Sequence, residues 1–134
     1  MIIVVAALIE KDGKYLIAKR STGDSANLGK WEFPGGKLEP KETEIAAIVR
    51  EIKEEFELDI KVNKFLINTI YKYPTKTIDL RLYSCSYIGG EVKVHDHSEY
   101  KWVRRKEILD FDLAKADIFL ANYINENNVL IKAF

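Results

Sequence analysis

The chain has 134 residues, 47% of them hydrophobic and 31% charged, a length that suits one domain and a composition that suits a water-soluble globular fold. Lysine and arginine balance aspartate and glutamate at 21 each, so there is no global basic field to hold a long polyanion such as DNA or RNA. Cys85 is the single cysteine, which excludes an internal disulfide and fits a reducing compartment.

In chain order, residues 2–9 are an apolar run too short to span a bilayer, without a basic leader or a small-residue cleavage site. They read as a buried strand of a cytoplasmic protein with no membrane partner. Lys11-Asp12-Gly13-Lys14 reads as a hairpin turn, residues 15–19 as the returning strand and residues 21–30 as a polar loop. Residues 31–33 form a short extended piece that enters the turn Pro34-Gly35-Gly36. A helix is expected over 43–56, where Ile45, Ile48, Val49, Ile52 and Phe56 recur at helical spacing as one buried stripe. Pro40, Thr43 and Glu44 suit its start. Residues 62–73 and 77–88 are β-prone segments broken at Pro74 and closed by Gly89-Gly90, the pattern of a hairpin. Cys85 lies within their apolar alternation and reads as a buried structural thiol. After a polar loop at 95–98, residues 100–103 are a short strand and 105–109 a helical turn. Residues 113–126 are a helix with Leu113, Ala116, Phe119, Leu120 and Ile124 inward, and residues 125–134 a loosely attached tail. The fold class is α/β, a mixed sheet packed between helices in one domain, residues 1–134.

Chemistry concentrates on the first helix. At about 100° per residue, Glu51, Glu54 and Glu55 fall on a stripe beside the apolar one, with Glu44 two turns earlier on the same side. Like charges at this spacing destabilise a helix by about 0.2–0.5 kcal/mol per pair, which Arg50 and Lys53 offset only in part. A divalent cation relieves that repulsion, and carboxylate oxygens suit Mg2+, Mn2+ or Ca2+ rather than zinc. A solvated acidic face is the plainer alternative; the glycine turn just before the helix favours the metal.

The spacing is specific. Gly36, five residues, Glu42, seven residues, then Arg50-Glu51-Ile52-Lys53-Glu54-Glu55-Phe56-Glu57-Leu58 resembles a Nudix box, with Glu57 in place of its last glycine. The entry Trp31-Glu32-Phe33-Pro34-Gly35-Gly36-Lys37-Leu38-Glu39 is similar to the MutT-type branch, whose members split nucleoside triphosphates into monophosphate and pyrophosphate. Ala18-Lys19-Arg20, the loop before Trp102 and Leu113-Ala114-Lys115-Ala116-Asp117 extend the likeness over nearly the whole chain, the last two toward relatives acting on CTP and 5-methyl-dCTP.

The resemblance implies the Nudix α/β/α sandwich and assigns roles. Glu51, Glu54 and Glu55 with the Gly35 carbonyl are the implied ligands of Mg2+, with Mn2+ a substitute, and Glu51 and Glu54 take part in catalysis. Glu42 and Arg50 brace the turn at Gly36 against the helix. Asp96 occupies the place of the carboxylate that activates water, with Glu99 nearby as a substitute and His95 or His97 as further candidates. Arg20 and Lys37 face the triphosphate, Phe33 lines the nucleoside pocket and Asp117 reads the base. A carboxylate there accepts equally from cytosine or guanine, so it does not choose between them; the alternative for Asp117 is simple stabilisation at a helix N-terminus. At Glu57, a residue other than glycine is strained in the left-handed conformation or avoids it, so the helix is expected to run on by a residue. The implied partner is a small nucleotide, and the protein a monomer or homodimer. Three readings stand: a (deoxy)nucleoside triphosphate pyrophosphohydrolase, for 8-oxo-dGTP or for (d)CTP and its 5-methyl form; a hydrolase of a nucleoside diphosphate sugar or dinucleoside polyphosphate; and a nucleotide-binding sensor without catalysis.

Overall fold

The computed structural model describes residues 1–23 and 26–127. The elements run β1 (Ile2–Lys11), β2 (Lys14–Arg20), β3 (Trp31–Glu32), β4 (Gly35–Lys37), α1 (Glu44–Phe56), β5 (Asp59–Lys72), β6 (Thr77–Gly89), β7 (His97–Val103), a 3-10 helix (Arg105–Asp110) and α2 (Lys115–Glu126). The strands make one mixed sheet in the order β3-β2-β1-β6-β5, with β4 also on β1 and β7 also on β2. β1 and β6 run parallel; the other pairs are antiparallel.

Each face of the sheet carries its own core, one under α1 and one under α2, which gives the α/β/α sandwich. β1 serves both: Val5, Ala7 and Ile9 pack on the α1 side, Ala6 and Leu8 on the α2 side. A strand buried on both faces reads as a continuous apolar run, as residues 2–9 do. The expected hairpins form, Cys85 is buried, and no helix among the described residues is long and apolar enough to cross a membrane.

The sheet divides at one seam. β1 and β2 pair only at Glu10–Tyr15 and Lys11–Lys14. Beyond that point the segment from Trp31 to Lys37 enters between them, pairing first with β2 through β3 and then with β1 through β4. The Ala7 N–H donates to the Pro34 carbonyl at 2.8 Å and fixes the crossing.

Several expectations need correction. In α1 the buried residues are Ala47, Ile48, Ile52 and Phe56, whereas Ile45 and Val49 are 54% and 43% exposed. The helix is therefore rolled by roughly 40° from the face that its large apolar residues define, so that Glu51 and Glu55 turn toward the sheet. In α2, Phe119 is 47% exposed, and Asp117 and Ala121 complete the inward stripe. That helix begins at Lys115 because Leu113 is engaged in a bridge to Trp31. β7 starts at His97, inside the expected loop, and His97 is buried. Residues 125 and 126 end α2, and beyond Asn127 the expected tail lies outside the described residues.

Glu57 does not extend α1. It adopts the left-handed conformation, φ 56° and ψ 34°, and its N–H donates to the Lys53 carbonyl at 3.1 Å. Its carboxylate meets His95 Nε2 at 2.8 Å, which ties the helix end to the loop before β7.

Candidate active site

The site is built where the glycine segment crosses the seam. A Cβ on Gly35 would overlap the Val5 carbonyl oxygen and lie 2.9 Å from Ala6 Cα, so β4 can reach β1 here only without a side chain. A Cβ on Gly36 would lie 2.5 Å from Glu51 Oε1. Gly36 thus leaves room for a carboxylate of α1 to lie against the strand.

Arg50 holds this arrangement. Its Nε and Nη2 donate to the two Glu42 oxygens at 2.6 and 2.9 Å, and Nη2 also donates to the Lys37 carbonyl at 3.2 Å. Nη1 donates to Glu51 Oε1 at 3.0 Å and Glu54 Oε2 at 3.3 Å. The hydrogen bond to Glu42 raises the Arg50 pKa, and the same contact lowers that of Glu42. Such forked, charge-assisted bonds fix geometry in a way that a lysine cannot.

The three implied ligands have different surroundings. Glu54 is 60% exposed and turned to Arg50. Glu51 is largely buried, and burial raises its pKa against the opposing pull of Arg50. Glu55 is pushed up to about 7 by burial first, then by the adjacent Asp96 carboxylate and by Glu51, with His97 acting the other way. Glu55 Oε2 is buried and has no hydrogen-bond partner. No set of three His, Cys, Asp or Glu side chains among the described residues stands ready-made around a cation. The donor chemistry nevertheless fits a hard divalent ion: an orphaned carboxylate oxygen amid like charge is what such an ion relieves. Glu44, expected on the same acidic stripe, is committed elsewhere, to Arg81 and to the Tyr83 hydroxyl, which donates to it at 2.7 Å.

Of the two carboxylates expected to activate water, the structure brings Asp96 to Glu55. The Asp96 carbonyl accepts from Ser21 N–H at 3.0 Å and Ser21 Oγ at 3.1 Å, which anchors the loop to the end of β2. Glu99 lies on the opposite face, a correction to its expected proximity. Tyr100 and Trp102 pair with Ala18 and Leu16 of the α1 core, so Glu99 and Lys101, which pair with Lys19 and Ile17, point to the α2 side. His95 is drawn away by Glu57, and His97 Nε2 lies 2.9 Å from Glu32 Oε2 with its ring against Phe56.

On the other side of the glycine segment opens a cleft of about 390 Å³. Arg20, Phe33, Lys37 and Asp117, the four expected substrate contacts, all line it, together with Gly35 and Gly36. Arg20 is oriented by Glu32, donating from Nε and Nη2 at 3.3 and 3.0 Å. Asp117 sits in the first turn of α2, nearly buried, and its Oδ2 accepts the Phe33 N–H at 2.9 Å. Burial, with Glu32 adding to it, holds the Asp117 carboxyl well above the usual range. Asn27, Glu32, Tyr73 and Lys76 share the lining and were given no role from the sequence. Glu32 alone carried a signal, a charge between the buried aromatics Trp31 and Phe33.

Comparison with known proteins gives the family and the fold. The NUDIX domain model matches residues 1–124. The CTP pyrophosphohydrolase of Escherichia coli K12 is 38% identical over 118 residues, 88% of this chain and 87% of that protein. An 8-oxo-dGTP diphosphatase of Buchnera aphidicola is 31% identical over 102 residues, 76% of this chain and 82% of that one. The solution structure of the E. coli ORF135 protein superposes with a TM-score of 0.86 at 35% identity, covering 100% of this chain and 95% of the other. With a matching box, fold and family model, the chain belongs to the NUDIX family of hydrolases.

Proposed function

We propose that this protein is a divalent-metal-dependent pyrophosphohydrolase that converts a (deoxy)nucleoside triphosphate into the monophosphate and pyrophosphate. The observation that carries the reading is the position of Gly35 and Gly36, which line the nucleoside-sized cleft and also lie against β1 and Glu51. The cleft volume falls within the range of about 300–1,000 Å³ typical of small-molecule sites. A nucleotide with its base toward Asp117 and its sugar along Phe33 runs its phosphates over the glycines toward α1, past Arg20 and Lys37.

Glu51, Glu55 and the Gly35 carbonyl would hold Mg2+ or Mn2+, with Glu54 joining when it leaves Arg50. Bound there, the ion neutralises phosphate charge and lowers the pKa of a coordinated water. Asp96 is the base that takes a proton from the attacking water. The water oxygen bonds to one phosphorus of the α–β bridge while that phosphorus loses its bond to the bridging oxygen, the water's proton passes to the Asp96 carboxylate, and the monophosphate and pyrophosphate separate. Arg20 and Lys37 balance the charge that accumulates on the phosphate oxygens. The relatives' names support CTP and 8-oxo-dGTP as substrates; dCTP and 5-methyl-dCTP join them on the sequence resemblance alone, and hydrolysis of 8-oxo-dGTP would cleanse the nucleotide pool.

The test is a Mg2+-dependent turnover panel over 8-oxo-dGTP, dGTP, CTP, dCTP, 5-methyl-dCTP, ADP-ribose and a dinucleoside polyphosphate, with pyrophosphate and phosphate resolved among the products. Pyrophosphate from a triphosphate, lost in Glu55→Gln, supports the reading. Cleavage of a diphosphate conjugate alone replaces it with a hydrolase of that class, and nucleotide binding with no cleavage replaces it with a sensor.

A further inference from the structure

Asn27 lies in the polar loop between β2 and β3, yet its side chain lines the same cleft as Asp117. Its side-chain amide lies close enough to the Tyr73 hydroxyl to oppose the burial that raises that group's pKa, and the hydroxyl itself accepts the Ala116 N–H at 3.4 Å. Tyr73 is buried, so this chain of contacts gives the loop residue a fixed place against the start of α2. The Asn27 Oδ1 atom is buried and has no hydrogen-bond partner. A buried acceptor without a donor is costly and rare in native folds, and its presence in the wall of a ligand cleft points to a donor carried by the ligand.

Asp117 cannot supply the same discrimination. One of its oxygens is taken by the Phe33 N–H, and burial favours the neutral carboxyl. The other oxygen can therefore donate as an acid or accept as a carboxylate, and it suits an amino or an oxo substituent equally. Asn27 Oδ1 does not titrate and only accepts.

We infer that the Asn27 carboxamide oxygen accepts an N–H from the exocyclic amine of the bound base, so that the cleft selects amino-bearing bases over their oxo counterparts. The inference rests on the reading above, which places the base in this cleft. A site built to hydrogen-bond a substrate N–H rejects the analogue that lacks it far more strongly than an apolar pocket does, because the protein atom is then left unpaired.

The experiment compares dCTP with dUTP, which differ in the amine or carbonyl at C4, and dGTP with dITP, which lacks the 2-amine. In the wild-type protein kcat/KM should favour the amino member of the pair with the preferred ring. Asn27→Ala and the bulkier, apolar Asn27→Leu should each cut that ratio about tenfold, or about 1.4 kcal/mol, chiefly through the amino substrate. Because the ratio compares two substrates on one preparation, any misfolded fraction cancels. Metal-free titration with dCMP and dUMP, or with dGMP and dIMP, followed by NMR shifts, should repeat the ordering without chemistry. An unchanged ratio in both variants overturns the inference and leaves the hydrolase reading standing. Absence of turnover on every triphosphate, with Asn27-dependent preference still seen in the metal-free titration, overturns the reading and keeps the inference.

Discussion

Gly36→Ala separates the site from the fold. The new Cβ would fall 2.5 Å from Glu51 Oε1, against the far end of a flexible side chain, so Glu51 can swing aside without moving backbone. In doing so it loses the 3.0 Å hydrogen bond from Arg50, worth about 1–2 kcal/mol for a charged partner that is partly solvent-exposed. At about 4 °C per kcal/mol for a domain of this size, Tm should fall by about 4–8 °C. Turnover should fall about 10²-fold or more, since a displacement near 1 Å at a reacting centre has that effect. Gly35→Ala is the control. There the new atom overlaps the Val5 carbonyl of β1, and relief requires breaking the Val5–Gly36 and Ala6–Gly35 pairing. Its loss should reach about 3 kcal/mol or more, visible as a low Tm and a shifted urea midpoint. Circular dichroism melts and steady-state pyrophosphate release decide the matter. Native turnover in Gly36→Ala, or a melting loss equal to that of Gly35→Ala, would refute the division of labour between the two glycines.

Other outcomes follow from equally local contacts. Glu57→Gly removes the left-handed penalty of about 1–2 kcal/mol and loses only an exposed pair with His95 worth about 0–1 kcal/mol, so Tm should rise by a few degrees with turnover kept; an inactive variant would show that the tie to His95 positions Asp96. Asp79 is buried, which pushes its pKa up, but the Arg81 and Asn68 hydrogen bonds prevail and hold it below the usual range. Its contribution is therefore present above the unfolded value of about 4 and is lost as pH falls through the lower folded value. Asp79→Asn should cost roughly 1–3 kcal/mol near neutrality and flatten the acid limb of urea midpoint against pH; an unchanged limb would assign acid unfolding to other carboxylates. The Cys85 thiol, pushed up to about 12 by burial, should react with a thiol reagent only as fast as the chain opens, and rapid labelling of the native protein would contradict its burial.

The box was legible because helical periodicity converts fixed spacing into fixed direction. Gly36, Glu42, Arg50 and Glu51 are close in sequence, and their contacts follow from the helix and the turn before it. The roll of α1 was not legible, since Ile45 and Val49 look like core residues until β1, β4 and β5 take their places beneath the helix and Ala47 is the residue buried there. Phe119 misled for the same reason, with the smaller Ala121 occupying the contact. Glu99 and Asp96 are three residues apart and looked interchangeable. Strand alternation, visible only once the register with β2 is known, sends Glu99 to the other face. Asn27 and Glu32, Tyr73, and Asp117 come from three separated segments, and only tertiary packing gathers them. The left-handed turn at Glu57 was signalled only by the glycine that the box carries at this position, because glutamate itself suits a longer helix.

The seam between β1 and β2 divides heredity as well as structure. Carboxylates that handle phosphate belong to α1 and its glycine strap, whereas the walls of the base cleft come from the loop before β3, the β5–β6 hairpin and the start of α2. The two sets meet at β1 and the Gly35–Lys37 strap, which line the cleft and also pack beneath α1, so a lineage that exchanges its preferred nucleobase can do so at residues outside this shared strip. A designer can follow the same route, varying residues such as Asn27 in a library with Arg50 and its carboxylates held constant.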